Sequence, residues 1–176
     1  MKTRVTTLLL VVTLAAAGAV PAMAQQKPPL SPPGQAAATI GAATITIDYA
    51  RPSMRGRKIM GELVPYDKVW RTGANAATTL KTSAALEIGG ALVPAGTYTL
   101  YTLPGEKAWK LIVNKQTGQW GTQYDQAQDL ARVDLKVEAL PQPVEQFTIS
   151  IDKADKGGVL KLAWENTEVT AAIAVK

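Results

Sequence analysis

Apolar and polar residues alternate through most of this chain, and this two-residue period constrains its fold more than any other feature. Residues 44–50, TITIDYA, alternate threonine and aspartate with isoleucine and tyrosine, and residues 80–88, 97–103, 133–138 and 146–152 follow the same rule. Successive side chains of a strand point to opposite faces, so each run predicts a strand with one buried face. Because no long amphipathic helix is visible, the sequence predicts an all-β chain.

Turn signals separate these runs. The glycine pair at 89–90 has the form of a two-residue hairpin turn, and the Pro-Gly pair at 104–105 ends a strand. The Asn-Thr pair at 166–167 is predicted to turn the chain between two further strands, at 160–164 and 169–175. About eight antiparallel strands, with one long structured loop, are typical of a single β-sandwich or jelly-roll-like domain.

The first 24 residues have the pattern of a cleaved export signal. Lys2 and Arg4 precede an apolar stretch over residues 5–20, and Ala-Met-Ala at 22–24 supplies the small-x-small site for cleavage after Ala24. Threonines and a glycine interrupt the apolar stretch, which disfavours the alternative of a membrane anchor. We therefore expect a periplasmic or extracellular protein with no membrane span after signal removal.

The mature chain is predicted to be a linker followed by one domain. Residues 25–37 begin QQKPPLSPPG, with four prolines in ten positions, and proline opposes both helix and sheet ladders. We interpret this segment as a disordered Pro-rich linker. Residues 38–176 are then one β-domain, long enough to bury a core without disulfides, which fits the absence of cysteine.

Composition excludes several classes of chemistry. The chain has no histidine and no cysteine, which removes the Ser-His-Asp triad, thiol nucleophiles and the ordinary zinc, copper and haem ligand sets. No metal site and no cofactor is predicted. Beyond residue 24 there are 17 basic and 14 acidic residues, a net charge of +3, too small an excess for a nucleic-acid-binding surface. Carboxylate catalysis, a Ser-Lys pair and an all-oxygen calcium site stay open.

Two segments escape the alternation, at residues 51–75 and 114–129, and long ordered loops on β-domains are common binding sites. The first is rich in arginine, whose planar fork of donors suits carboxylate or phosphate, and both carry aromatic rings for stacking. The candidate binding residues of the two segments are Arg51, Ser53, Arg57, Tyr66, Trp70, Arg71, Asn75, Trp120 and Tyr124.

A structural interpretation of the same residues stays open beside the functional one. Buried arginines can satisfy the carbonyls that a long loop leaves without ladder partners, as Arg51 and Arg71 would do. Trp70 would then anchor the loop to the core, and Asn75 would be a turn residue. We expect the KVWRTGAN segment to lock the loop onto the sheet, and the locked loop to shape a pocket.

Several motifs resemble one family. The string YARPSMRGRKIMGELVPYDKVWRTGANAATT, followed by LVPAGTYTLYTLPG, WKLIVNK, QWGTQYD and LAWENTEV, resembles the bacterial exported proteins of the domain-of-unknown-function family DUF2911. The resemblance covers nearly all of the chain after the linker. It implies an exported, β-rich domain, and it does not imply an activity. Ala76 stands where members often carry a glutamate, so chemistry that depends on that carboxylate is in doubt here.

Three functions are compatible with these observations. The favoured one is a non-enzymatic module that binds a small anionic or carbohydrate ligand near the first loop. A second is a hydrolase that uses loop carboxylates, for which Glu62, Asp67, Asp125 and Asp129 are the available acids. The third is an envelope structural or partner-binding protein. The oligomeric state is not indicated by the sequence.

Overall fold

The computed structural model describes residues 29–154 and 157–176 and is built from antiparallel strands. The nine strands are β1 Pro33–Ile40, β2 Ala43–Ala50, β3 Thr78–Thr82, β4 Leu86–Ile88, β5 Ala91–Val93, β6 Gly96–Leu103, β7 Trp109–Asn114, β8 Asp129–Ala154 and β9 Gly157–Val175. The described residues contain no α-helix, and their one helical element is a three-residue 3-10 turn, Gln126–Gln128. The prediction of an all-β antiparallel fold is confirmed.

Hydrogen bonds join the nine strands into one sheet in the order β1-β2-β3-β6-β7-β8-β9-β4-β5. Strand β8 joins the two halves of this order, because its first residues pair with β7 and later ones pair with β9. Strands far apart in the order also touch, since β1 contacts β8 and β9 while β5 contacts β8. The predicted two-layer sandwich is in line with these contacts, although the hydrogen-bonded sheet itself is continuous.

The core follows from the alternation of the strands. Ile45 and Ile47 of β2, Leu100 of β6, Phe147 of β8 and Leu162 of β9 are all buried in one cluster. Burying an apolar side chain of this size stabilises the fold by roughly 1.5–3 kcal/mol. The sheet is thus a firm base for the irregular segments between its strands.

The predicted turn at the Asn-Thr pair 166–167 is wrong, because β9 runs unbroken through both residues. The chain bends there without ending the strand, since Glu165 takes a left-handed φ of 52° and the pairing with β8 shifts register. On the β8 side, the shift lies around Pro141 and Pro143, which lack the amide hydrogen that regular pairing needs. The side chain of Asn166 donates to the carbonyl of Leu140 at 3.2 Å and so holds this bend.

Strand β1 begins at Pro33, so residues 33–37 belong to the sheet and not to the predicted disordered linker. Proline is tolerated as the first residue of an edge strand, and among the described strands β1 pairs with β2 and stands at the edge of the sheet. The predicted export signal and residues 25–28 of the linker lie outside the described residues. From residue 29 to 154 and from 157 onward, no helix is long and apolar enough to cross a membrane.

Candidate functional site

The two irregular segments meet in the folded chain. We call residues 51–77, between β2 and β3, the first loop, and residues 115–128, between β7 and β8, the second loop. The amide of Gly121 donates to the carbonyl of Asn75 at 3.0 Å, and the amide of Ala77 donates to the carbonyl of Gln119 at 3.3 Å. Segments that are about 45 residues apart in sequence therefore form one surface.

The first loop extends the pairing along β6 beyond the first residue of β3. Strand β3 pairs with β6 as far as Leu100, and Trp70 then takes the next place on the same strand. Its amide donates to the carbonyl of Thr102 at 2.8 Å, and the amide of Thr102 donates back at 3.0 Å. The indole packs edge-on against Phe147, with ring centres 4.9 Å apart, and stacks on Trp164 at 5.7 Å. Trp70 thus anchors the loop to the core, as the structural interpretation expects.

The start of the first loop is pinned to β8. Ser53 forms an antiparallel bridge with Gln146, and the amide of Phe147 donates to the carbonyl of Pro52 at 2.9 Å. The guanidinium of Arg51 donates through Nε to the carbonyl of Phe147 at 3.2 Å and through Nη2 to Thr148 Oγ1 at 2.8 Å. Arg51 is committed to protein acceptors and so has a structural role.

A strained turn follows Trp70 and places Arg71. Thr72 has a left-handed φ of 54° although it is β-branched and fully buried, and Asn75 has a φ of 60°. The carbonyl of Thr72 accepts from Thr78 Oγ1 at 2.7 Å, which holds the turn in this shape. A buried β-branched residue in this region costs about 1–3 kcal/mol and is kept where the surroundings over-determine it, often at ligand sites.

A cavity of about 710 Å³ lies between the two loops. This volume is in the usual range for small-molecule sites. Six of the nine predicted site residues line it: Ser53, Arg57, Trp70, Arg71, Asn75 and Tyr124. Arg51, Tyr66 and Trp120 do not line the cavity. Tyr66 instead packs against the hydrophobic core, and Trp120 is 53% exposed.

Three arginines line the cavity, and they differ in how many of their N–H donors already bind protein acceptors. Arg57 donates to the carbonyls of Met54 at 2.9 Å and Ser53 at 2.7 Å, and Arg55 donates to the carbonyl of Leu30 at 2.7 Å. The guanidinium of Arg71 makes no hydrogen bond and no ion pair with any residue of the ranges 29–154 and 157–176. Arg71 is the cation with its full set of donors open to a ligand.

The second loop presses its backbone against Arg71. A Cβ atom at position 121 would lie 2.7 Å from Cδ of Arg71 and 2.8 Å from the carbonyl oxygen of Asn75. These distances are shorter than ordinary van der Waals contact, so only glycine fits. Gly121 therefore lets the two loops close on each other and defines the space that the Arg71 side chain occupies.

Two tyrosines form an aromatic part of the cavity wall. Tyr101 and Tyr124 meet edge to face with ring centres 4.9 Å apart. The hydroxyl of Tyr124 donates to Asp129 at 2.7 Å and accepts from Arg132 at 2.7 Å. Burial, followed by the hydrogen bond to Asp129, raises the pKa of Tyr124 to about 12, and burial also raises the pKa of Tyr101. Both hydroxyls are neutral at physiological pH.

The acids of the two loops do not face the cavity. No aspartate or glutamate is among the described residues that line it. Asp129 accepts from Tyr124, Arg132 and Asn114, while Glu62 lies on the surface 3.8 Å from Lys58. Within the described ranges, no cluster of three or more acidic side chains could hold a metal ion.

Several lining residues were not among the sequence candidates. Arg55 has the same chemistry as its predicted neighbours and could have been included on that ground. Tyr101 and Trp164 lie in strands β6 and β9, where the alternation signals only that a side chain is buried. Leu30, 71% exposed, comes from the segment before β1 and brings an apolar side chain to the cavity.

A family model described as "Protein of unknown function (DUF2911)" matches residues 31–173 of the chain. No curated protein and no solved structure matches it. The match takes in all nine strands apart from the last two residues of β9, and both loops lie inside it.

Proposed function

The chain belongs to the DUF2911 family, and we propose that it is an exported protein that binds a small anion in the cavity between its two loops. The observation that carries this proposal is the charge of the cavity. Three arginines line it, no aspartate or glutamate is among the described residues of its lining, and Arg71 has no acceptor among the described residues. A guanidinium in a partly buried pocket gains most from an anion that replaces the water around it.

The strained turn supports the same proposal. Thr72 and Asn75 hold left-handed backbone on either side of Gly73, and together they fix the direction of the chain that carries Arg71. Such backbone strain lowers the stability of the fold, and strain of this kind persists mainly where it serves a function. A binding role accounts for both the strain and the uncommitted cation.

Ligand-induced stabilisation tests the proposal. The protein, purified after export of the full chain, is heated with and without acetate, benzoate, phosphate or glucuronate. A ligand at 100 times its Kd stabilises by about 2.7 kcal/mol, which raises the Tm by about 5–10 °C for a domain of this size. Arg71→Met keeps the stem against Gly121 and removes the charge, so we expect affinity to fall roughly 10- to 100-fold.

Lys107→Ala is the matched control, because it removes one positive charge at an exposed position that does not line the cavity. We expect it to keep the full ligand-induced shift. Equal shifts in both variants would show that anions bind elsewhere and would overturn the proposal. Far-UV circular dichroism establishes that Arg71→Met has the wild-type fold before its binding is compared.

Export is the second part of the proposal, and the signal pattern of residues 1–24 supports it. The family match begins at residue 31 and β1 at Pro33, so cleavage after Ala24 would leave the domain whole. The full chain with a C-terminal tag, expressed in a Gram-negative host, should appear in the periplasm with Gln25 as its first residue by mass spectrometry. Cytoplasmic protein that keeps residues 1–24 would contradict export.

A further inference from the structure

We infer that the ligand is a monocarboxylate with an apolar, aromatic body, of the arylalkanoate class. This inference rests on the proposed function, since it names the class of anion that the cavity takes. It is carried by the contrast between the single uncommitted guanidinium and the aromatic wall, whose polar atoms are already bonded within the protein.

The head group is matched to one guanidinium. Arg57 uses Nε and one terminal nitrogen on backbone carbonyls, and Arg55 uses one terminal nitrogen, whereas Arg71 keeps both edges of its fork. A planar carboxylate accepts two parallel N–H bonds from such a fork. A phosphate dianion is matched best by several guanidinium groups with both edges open, whereas Arg55 and Arg57 each have at least one donor nitrogen engaged by a backbone carbonyl.

The body of the ligand is matched to the rings. Tyr101 donates its hydroxyl to the carbonyl of Gln123, Tyr124 donates to Asp129, and Trp164 donates Nε1 to the carbonyl of Glu145. With these polar atoms engaged, Tyr101 and Trp164, 1% and 2% exposed, back the cavity from within the core, and the partly exposed Tyr124 and Trp70 offer ring surface to a ligand. Val69 and Leu63 add aliphatic surface beside them. An aromatic ring packs favourably on such a wall by edge or face contact.

A sugar is matched less well. Each buried hydroxyl needs an acceptor for its proton, and an unsatisfied one costs free energy. Among the described residues, the lining has no carboxylate, its tyrosine oxygens are engaged, and the open side-chain acceptors are those of Ser31, Ser53, Asn75 and Thr122. A ligand with one anionic head and a hydrogen-bond-free body avoids this deficit.

Isothermal titration with four small probes separates head from body. The probes are 3-phenylpropionate, 3-phenylpropanol without the charge, propionate without the ring, and glucuronate with a hydroxylated ring. We expect 3-phenylpropionate to bind on the order of ten-fold more tightly than each of the others, because only it has both the carboxylate and an apolar body of several carbons. Equal affinity for propionate or for 3-phenylpropanol would overturn the inference.

The failure of the inference and that of the proposed function are distinguishable. Tighter binding of glucuronate or phosphate, abolished by Arg71→Met, would overturn the arylalkanoate class and leave anion binding intact. Binding of none of these anions would overturn both. Leu63→Asn, at a side chain that is 45% exposed, should weaken 3-phenylpropionate and leave propionate unchanged. Leu92→Asn, 60% exposed on β5 and outside the cavity, is its control and should change neither.

Discussion

Replacing Trp70 by alanine tests whether this side chain locks the first loop onto the sheet. A tryptophan buries up to about 250 Å² of surface, worth roughly 6 kcal/mol at about 25 cal/mol per Å². Trp70 is only partly buried and keeps its backbone bonds to Thr102, so about half of this value applies. The loss also includes ring contacts with Phe147 at 4.9 Å and Trp164 at 5.7 Å. We expect Trp70→Ala to lower the free energy of unfolding by about 3 kcal/mol.

Urea unfolding followed by circular dichroism measures this change. With a slope of about 2 kcal/mol per M, the midpoint should fall by about 1.5 M at unchanged slope. Trp120→Ala is the matched control, because Trp120 is 53% exposed and its replacement should alter stability by less than about 0.5 kcal/mol. If the two variants unfold at the same urea concentration, Trp70 does not anchor the loop.

Variants at three further positions test the two loops and the aromatic wall of the cavity. The folded state raises the pKa of Tyr124 from 10.0 to about 12, so the stability that this shift contributes is complete below pH 10 and is lost as the pH rises towards 12. Tyr124→Phe removes the titrating group and should flatten this decline in urea unfolding measured at alkaline pH. Asn75→Ala should destabilise by about 1 kcal/mol and Asn75→Gly by less than about 0.5 kcal/mol, because Asn75 holds a φ of 60°; equal urea midpoints would contradict this. Gly121→Ala should push Arg71 aside and weaken 3-phenylpropionate about ten-fold by titration calorimetry, and unchanged affinity would mean that Gly121 does not place Arg71.

The strands could be predicted because buried and exposed residues alternate along each of them in the sequence. Ala43, Ile45, Ile47 and Tyr49 are the buried positions of β2, and they occupy alternate places in the sequence. The continuity of β9 could not be predicted in the same way. The Asn-Thr pair at 166–167 has turn residues, but the partner strand β8 overrides their preference by continuing to pair on both sides of the bend.

The sequence predicts the location of the candidate site, but it does not predict the role of each residue in it. The absence of alternation in both loops indicated where to look, because a ligand site needs side chains that the sheet does not consume. The different roles of Arg51 and Arg71 depend on contacts with residues that are far away in sequence. Arg51 meets the carbonyl of Phe147 on β8, whereas Arg71 meets the closely packed backbone of Gly121 on the second loop. No local pattern distinguishes two such arginines.

The most direct test of the central claim observes the arginine side chains themselves. In protein labelled with ¹⁵N-arginine, the Nε–Hε resonance of Arg71 is assigned by its loss in Arg71→Met and followed by NMR during titration with 3-phenylpropionate. We predict that this resonance shifts and saturates, while that of Arg51, which already donates to the carbonyl of Phe147, stays in place. An Arg71 resonance that does not move at any probe concentration would contradict the account.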